Sequence, residues 1–262
     1  MTDLCGAEWI KLWSLRSTPI GLGLTVVLSL YLAAGNSMHG TLVPSGSTGP
    51  IDPIRAAFDG PSWVLPMIGA GMIGAQSMVG EHASGLIRVT LVAVPGRRRV
   101  VAAKVLVIAA VMAATALLAA VGGLALASAT ATGASQGRAL PDSASASALA
   151  SASVQAIGAS VLLLPVCALA GMAVGTLLRH AAATGFTVCA ILGFGPLLLQ
   201  PDGNRWATDV ANVMPYYAWG RLTSAGPGAS STVTAGVAWC ILAAWAALSI
   251  VITTVVLNRR DV

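Results

Sequence analysis

Residues 101–129 read VAAKVLVIAAVMAATALLAAVGGLALASA and contain a single charged side chain, Lys104. A helix that crosses about 30 Å of hydrocarbon needs roughly 20 mostly apolar residues. This run exceeds that length, so the helix can tilt or can begin on the cytoplasmic side. Lys104 lies near its start, and the long side chain can extend its ammonium to the interface. The stretch therefore predicts a membrane-spanning helix.

The rest of the chain repeats this pattern. Hydrophobic residues make up 56% of the sequence and charged residues only 9%, and the mean hydropathy is +0.83. Such values exceed those of an ordinary soluble domain. We therefore expect an all-α membrane protein in which one transmembrane domain occupies residues 1–262. The other five predicted spans are residues 19–35, 63–79, 153–178, 181–199 and 233–257.

The positions of the basic residues predict the orientation, because cytoplasmic loops hold an excess of lysine and arginine. With six spans and a cytoplasmic N-terminus, four of the 14 basic residues fall in outer loops, and both termini are cytoplasmic. These four are Arg55, Arg138, Arg205 and Arg221. The positive net charge of +5 then reflects topology and anionic lipid headgroups, and we expect no nucleic-acid partner.

The N-terminal segment, residues 1–18, precedes the first span and has a helical pattern of its own. One side groups apolar residues with two tryptophans, and the other groups polar ones, which favours a helix lying in the interface. Pro19 is placed to break this helix from the first span. An alternative interpretation makes residues 1–35 a signal peptide, with a basic start and small residues at its end.

The sequence lacks the residue patterns that several kinds of function require. Proton relays and ion-coupled carriers usually keep ionisable residues inside the membrane, whereas the centres of the six predicted spans contain none. The phosphate-binding P-loop ends in Gly-Lys, but Lys11 follows Ile10 and Lys104 follows Ala103. The four cysteines have no Cys-x-x-Cys spacing, and the three histidines lie in different connections. We therefore expect no catalytic, cofactor-binding or metal-binding residues in this chain.

Residues 80–104, GEHASGLIRVTLVAVPGRRRVVAAK, gather an unusual amount of charge between the second and third spans. The pattern predicts a short helix along the inner face that Ser84 caps and that ends at Pro95-Gly96. Basic residues follow it and are expected to anchor the inner face. They are Arg97, Arg98, Arg99 and Lys104.

These residues resemble the loop after the second span of ABC-2 type permeases. In that family the stretch commonly contains an acid, a Gly-Thr-aliphatic-Arg step, a proline with basic residues, and a lysine entering the third helix. Here Glu81, residues 84–88, Val94-Pro95, residues 97–99 and Lys104 follow the same order, with Leu86 where the family often has threonine. The N-terminal AEWIKL, residues 7–12, with Arg16-Ser17 likewise resembles the family's connector helix.

The resemblance implies a multi-pass permease of the bacterial plasma membrane, surrounded by membrane lipids. Such a permease forms a homodimer or heterodimer and sits on separate ATP-binding subunits, which hold ATP and Mg²⁺. It exports a lipophilic, drug-like, lipid or peptide substrate. Residues 80–99 would form the cytoplasmic coupling loop, with coupling residues Glu81, Ser84, Gly85, Leu86, Ile87 and Arg88. The connector residues would be Glu8, Trp9, Lys11, Leu12, Trp13 and Arg16.

A second hypothesis is a carrier or a scaffold subunit of a membrane complex that works without an ATPase. The uncharged spans fit either hypothesis, so the residues alone leave both open.

Three segments are expected on the outer side. Residues 40–62 and 130–151 are rich in small and turn-forming residues and predict loops. Residues 200–232 contain an amphipathic aromatic stretch, 206–219, that is broken at Pro215. It predicts an extracellular or re-entrant segment, although a Trp and Tyr belt at the interface explains the pattern equally well.

Overall fold

The structure is a computed structural model that describes residues 2–39, 53–85, 97–134, 143–199, 205–223 and 234–259. All the regular elements in these residues are helical. In chain order they are α1 (Thr2–Ser14), α2 (Ser17–His39), α3 (Pro53–Ala57), α4 (Gly60–Ala83), α5 (Arg97–Ala134), α6 (Ser143–Leu178), α7 (Ala181–Val188), a π-helical segment (Cys189–Phe194), α8 (Gly195–Leu198), α9 (Arg205–Val213), α10 (Pro215–Thr223) and α11 (Ala235–Arg259).

Six segments of the described chain are helical, long enough and apolar enough to span a membrane, which agrees with the predicted number of spans. They are Ser17–Met38, Pro53–Ala83, Arg98–Thr130, Ala150–Leu178, Ala181–Leu198 and Ala235–Arg259. The fifth span is irregular, because its hydrogen-bond pattern widens to a π-helix between Cys189 and Phe194.

Two predicted loops are shorter than expected. Helix α5 continues to Ala134 and α6 begins at Ser143, so most of residues 130–151 is helical. Alanine has the highest intrinsic helix propensity, so the Ser/Ala repeat extends α6 although its composition is typical of a loop. The predicted loop 40–62 is also wrong at its end, where α3 forms and α4 begins at Gly60.

The N-terminal helix forms as predicted, but the break that follows it lies earlier than expected. Helix α1 ends at Ser14 and α2 begins at Ser17, with a turn between them in which the Thr18 amide donates to the Leu15 carbonyl over 3.0 Å. Pro19 is therefore inside the first turn of α2. Its missing amide proton costs nothing there, since the first amides of a helix have no intrahelical acceptor.

The closest helix contact joins α4 and α6, which run in the same direction. A Cβ atom on Gly74 would lie 1.9 Å from the carbonyl oxygen of Ala168, and a Cβ atom on Gly171 would lie 1.9 Å from that of Gly71. Each glycine thus allows the backbone of the opposite helix to approach, as small residues do in membrane helix pairs.

An aromatic cluster closes the end of the bundle that lies opposite α1. The rings of Phe58 and Trp63 are 5.9 Å apart, and those of Trp63 and Trp219 are 5.4 Å apart. The indole nitrogen of Trp219 donates to the hydroxyl of Ser160 over 2.9 Å, which ties α10 to α6. The predicted break at Pro215 is confirmed, and every residue of α10 is buried, so Tyr216, Tyr217 and Trp219 pack inside the protein and form no exposed belt.

Substituting Gly74→Ala should lower the free energy of unfolding by about 3 kcal/mol, because the added methyl group meets backbone, which cannot rotate away. Gly23→Ala is the matched control, since a Cβ atom there has no neighbour within 4 Å. We expect that change to be neutral or stabilising by up to ~1 kcal/mol. Thermal unfolding of both variants in detergent measures the difference, and equal melting temperatures would contradict the close crossing.

Candidate functional site

The most enclosed basic side chain of the described residues is Lys104, two turns into α5, which is 4% exposed. Its ammonium lies 2.6 Å from Glu8 Oε2 and 2.8 Å from Glu81 Oε1. A third donor is directed at the carbonyl oxygen of Ser77, 3.5 Å away. Burying an ammonium costs several kcal/mol unless counter-charges and hydrogen bonds replace the lost water. Lys104 has both.

A second lysine completes the arrangement. The ammonium of Lys11 lies 2.7 Å from Glu8 Oε1 and 3.0 Å from Glu81 Oε1. Glu8 and Glu81 are 5% and 7% exposed, whereas the Lys11 side chain is 30% exposed. We call Glu8, Lys11, Glu81 and Lys104 the charged cluster. Its two acids and two bases sum to no net charge. Charged side chains can be buried when they are paired in this way.

Three separate helices supply the charged cluster. Glu8 and Lys11 are three residues apart and share one side of α1. Glu81 belongs to the last turn of α4, and Lys104 comes from the start of α5. The cluster therefore ties the N-terminal helix to both ends of the chain segment that joins the second and third spans. It also places α1 at the same end of the bundle as that segment.

The charges of the cluster also act on Lys11. Burial by itself would lower the pKa of Lys11, but the hydrogen bonds and charges of Glu8 and Glu81 outweigh that effect and raise it. The ammonium form is thus stabilised in the folded protein, so Lys11 keeps its charge throughout the physiological pH range.

Three of the predicted coupling residues, Leu86, Ile87 and Arg88, lie outside the described residues, as does the predicted short helix. The other three, Glu81, Ser84 and Gly85, are described. Glu81 was expected to face a partner, but its carboxylate is enclosed and binds two lysines of its own chain. Its docking role stays a prediction.

Two of the predicted coupling residues end α4. Ser84 is the C-cap of α4, and its hydroxyl donates to the Gly80 carbonyl over 2.7 Å; its predicted role at the start of the next helix stays a prediction. Gly85 follows with φ of +70°, a left-handed conformation that suits glycine and ends the helix.

The predicted anchoring residues differ in their exposure to solvent. Arg98 and Arg99 are exposed, and Arg97 begins α5. Lys104 was expected at the interface beside them, but its partners are carboxylates inside the protein.

On α1, Leu12 is buried, while Trp9 and Trp13 are 49% and 46% exposed with ring centroids 5.6 Å apart. Arg16 is exposed in the turn after α1. Glu8 belongs to the polar side of the predicted helix, yet it is buried.

A cavity of about 260 Å³ adjoins the charged cluster, between α1, α4 and α5. All four cluster residues line it, together with apolar side chains from α1 and α5 and small polar residues near the end of α4. The remaining lining residues are Leu12, Ser14, Leu15, Gln76, Ser77, Gly80, Ser84 and Ile108.

A second cavity, about 180 Å³, has no charged lining residue. It lies between α6, the fifth span and α11. Its walls include Val174, Leu192, Trp245 and Leu248. We call it the apolar groove.

Sequence reasoning missed the contacts of the charged cluster, because Glu8 and Lys104 are 96 positions apart. One signal was present. A lysine several residues inside an apolar run needs a carboxylate, and the only acidic residues near the same predicted end are Asp3, Glu8, Glu81 and Asp261.

The described residues also contain no group of three or more His, Cys, Asp or Glu side chains suited to a metal ion. The chain matches no family model. No curated protein matches it either. The geometry of the charged cluster is therefore the main basis for a functional hypothesis.

Substituting Lys104→Met should lower the free energy of unfolding by about 3–5 kcal/mol, because two buried carboxylates then face a single lysine. Glu81→Gln added to Lys104→Met restores a neutral cluster and should recover part of this loss. Arg99→Met, an exposed cation on the same helix, is the matched control and should be neutral within about 0.5 kcal/mol. Thermal unfolding in detergent tests the series, and a double variant less stable than Lys104→Met would contradict the charge balance.

The raised pKa of Lys11 predicts a stability difference that depends on pH. Its contribution is fully present below the ordinary lysine pKa of 10.5 and is lost as the pH rises through the higher folded value. Wild type should therefore lose stability above pH ~10.5 relative to Lys11→Arg, since arginine does not deprotonate in this range. Melting temperatures of both proteins from pH 7 to 11.5 measure this, and parallel curves would contradict it.

Proposed function

We propose that this chain is the membrane-spanning permease subunit of an ATP-driven exporter of the ABC-2 type. It would move a lipophilic, drug-like, lipid or peptide substrate outward, with energy from separate ATP-binding subunits. The sequence motifs at residues 7–17 and 80–104 support this proposal, as do the six candidate spans. The absence of a Gly-Lys pair anywhere in the chain agrees with an ATPase that resides in another subunit.

The observation that carries the proposal is the charged cluster. A permease driven by a separate ATPase must convert a push at its cytoplasmic surface into a movement of its spans. Ion pairs of 2.6–3.0 Å bind α1, the end of α4 and the start of α5 to one another. A force applied to the chain between α4 and α5 would therefore move all three helices together.

The distribution of charge supports a cytoplasmic location for this end. Lys11, Arg16, Arg98 and Arg99 lie at the end of the bundle that holds the charged cluster. Arg55, Arg205 and Arg221 belong to the opposite end. Because basic residues accumulate on the cytoplasmic side of membrane proteins, the proposed function places the ATP-binding subunits against α1 and residues 84–96.

The apolar groove supports a lipophilic substrate. Its wall is formed by aliphatic and aromatic side chains with Ser249, and the π-helical segment contributes Ile191 and Leu192 to it. Local π-helical geometry is frequent at functional sites, because it displaces side chains from regular helical positions. An uncharged groove between spans favours an apolar or amphipathic molecule over a small ion.

The first test is the side of the membrane on which the segment between α4 and α5 lies. Arg88→Cys is introduced after the four native cysteines have been replaced by serine or alanine. A membrane-impermeant maleimide should label it in inside-out vesicles and not in right-side-out vesicles. Arg205→Cys, at the opposite end, should give the reverse pattern. Labelling of residue 88 from outside would reject the proposed orientation.

The second test is association with an ATPase. The chain is co-expressed with an ATP-binding subunit encoded beside its gene and purified through a tag on the permease. Arg88→Glu should reduce recovery of that subunit at least ~10-fold, since a lost charge contact at an interface costs 2–5 kcal/mol. Arg205→Glu makes the same charge change at the opposite end and should leave recovery unchanged. Uphill transport by the purified chain alone would favour the ATPase-independent carrier instead.

A further inference from the structure

The hydrogen bonds of the charged cluster leave one donor and one acceptor unused. An ammonium group has three donors, and those of Lys104 are directed at Glu8, Glu81 and the Ser77 carbonyl. Lys11 donates only to Glu8 and Glu81, so one of its donors has no acceptor among the described residues. Both oxygens of Glu8 accept hydrogen bonds, and Glu81 accepts both of its own at Oε1.

The unused acceptor is therefore Glu81 Oε2, which receives no hydrogen bond from the residues that the structure describes. Glu81 and Lys11 both line the 260 Å³ cavity. The cavity thus offers one carboxylate oxygen that can accept a further hydrogen bond and one ammonium that can donate one. The side chains of Lys11 and Glu81 are 30% and 10% exposed, so both groups can be reached from the cavity, and a bound partner could take the place of water beside them.

We infer that this cavity binds the headgroup of a phospholipid that carries a primary ammonium and a phosphate. The ammonium donates to Glu81 Oε2, and a phosphate oxygen accepts from Lys11. Both contacts are charge-assisted hydrogen bonds. A zwitterion adds no net charge to the neutral cluster, whereas a purely anionic or cationic headgroup would leave an unbalanced charge next to it.

The size and position of the cavity fit this ligand. At roughly 30 Å³ for each water-sized group, 260 Å³ accommodates about eight or nine such groups, and a phosphoethanolamine headgroup has about eight non-hydrogen atoms. Leu12, Leu15 and Ile108 provide apolar walls for the first carbons of the lipid.

The neighbouring helix places the cavity at the depth of the headgroups. Trp9 and Trp13 are exposed on α1, immediately before the first span, and tryptophan favours the headgroup level of a membrane. The source of the zwitterion is therefore the bilayer. This inference does not depend on the ATPase, since it requires only that α1 lies at the membrane surface.

The experiment uses the full chain, purified in detergent and stripped of lipid. Dioleoyl phosphatidylethanolamine, phosphatidylcholine and phosphatidylglycerol are added separately, and the melting temperature and the bound lipid are measured, the latter by native mass spectrometry. Phosphatidylethanolamine should raise the melting temperature by about 5 °C more than phosphatidylcholine does, because a quaternary ammonium cannot donate to Glu81. It should also be retained at least ~10-fold better than either other lipid.

Gly80→Leu tests whether this effect arises in the cavity. Gly80 lines the cavity, and a Cβ atom there would meet no atom within 4 Å, so we expect a leucine side chain to occupy this open space. The variant should keep its lipid-free melting temperature and lose the increment from phosphatidylethanolamine. Gly23→Leu is the matched control on α2 and should retain the increment. Ser14→Leu fills the cavity from α1 and provides a second variant if Gly80→Leu folds poorly.

Three results would overturn the inference. The first is equal stabilisation by phosphatidylethanolamine and phosphatidylcholine, and the second is an unchanged increment in both cavity-filling variants. The third is full stabilisation by soluble phosphoethanolamine without any lipid, which would assign the site to a free zwitterion. Unchanged ATPase recovery in the Arg88→Glu experiment would contradict the proposed docking role without affecting any of these measurements, so the two proposals can fail separately.

Discussion

An ammonium group enclosed at the end of a membrane-spanning helix needs carboxylates in direct contact with it. The effective penalty for burying a single ion is several kcal/mol, so Lys104 can lie inside the protein only while Glu8 and Glu81 reach it. This requirement decides where α1 lies, because Glu8 cannot contact Lys104 unless the N-terminal helix packs against the start of α5. It also keeps the end of α4 beside α5. The charged cluster thus determines the arrangement of one end of the bundle, and the proposed coupling and lipid-binding roles both depend on it.

The two ends of the molecule are held by different forces. At one end four charges balance one another, and at the other the rings of Phe58, Trp63 and Trp219 pack together. The two indole nitrogens there donate to the Ala57 carbonyl and to the Ser160 hydroxyl. Helix α4 reaches both ends, and its crossing with α6 at Gly74 brings backbone against backbone, which leaves little room for the two helices to slide. In the proposed permease, this pairing would allow a displacement at the charged end to reach the spans that surround the apolar groove.

Some elements of the fold could be predicted from the sequence, and others could not. The spans, the N-terminal helix and the break at Pro215 were predictable, because each follows from local composition or from the geometry of proline. Residues 143–150 were predicted as loop from their small polar residues, yet they continue α6, since alanine and serine form a helix readily once a long helix precedes or follows them. Ser84 was predicted to begin a helix, and the structure shows that it ends α4, while the helix it was expected to begin lies outside the described residues. A serine near a glycine is compatible with either the start or the end of a helix, and the left-handed backbone of Gly85 shows that α4 ends here.

The sequence by itself determined that the chain is helical and membrane-embedded, because the hydrophobic effect acts on each apolar run independently of its neighbours. It also determined which residues carry charge. Only the tertiary structure decided which charges meet, since the partners Glu8, Glu81 and Lys104 come from three helices. Glu8 and Lys104 are 96 positions apart, so their contact produces no periodic pattern in the local sequence. The unused hydrogen-bonding atoms of Lys11 and Glu81, and the cavity they share, likewise exist only once those helices have packed together.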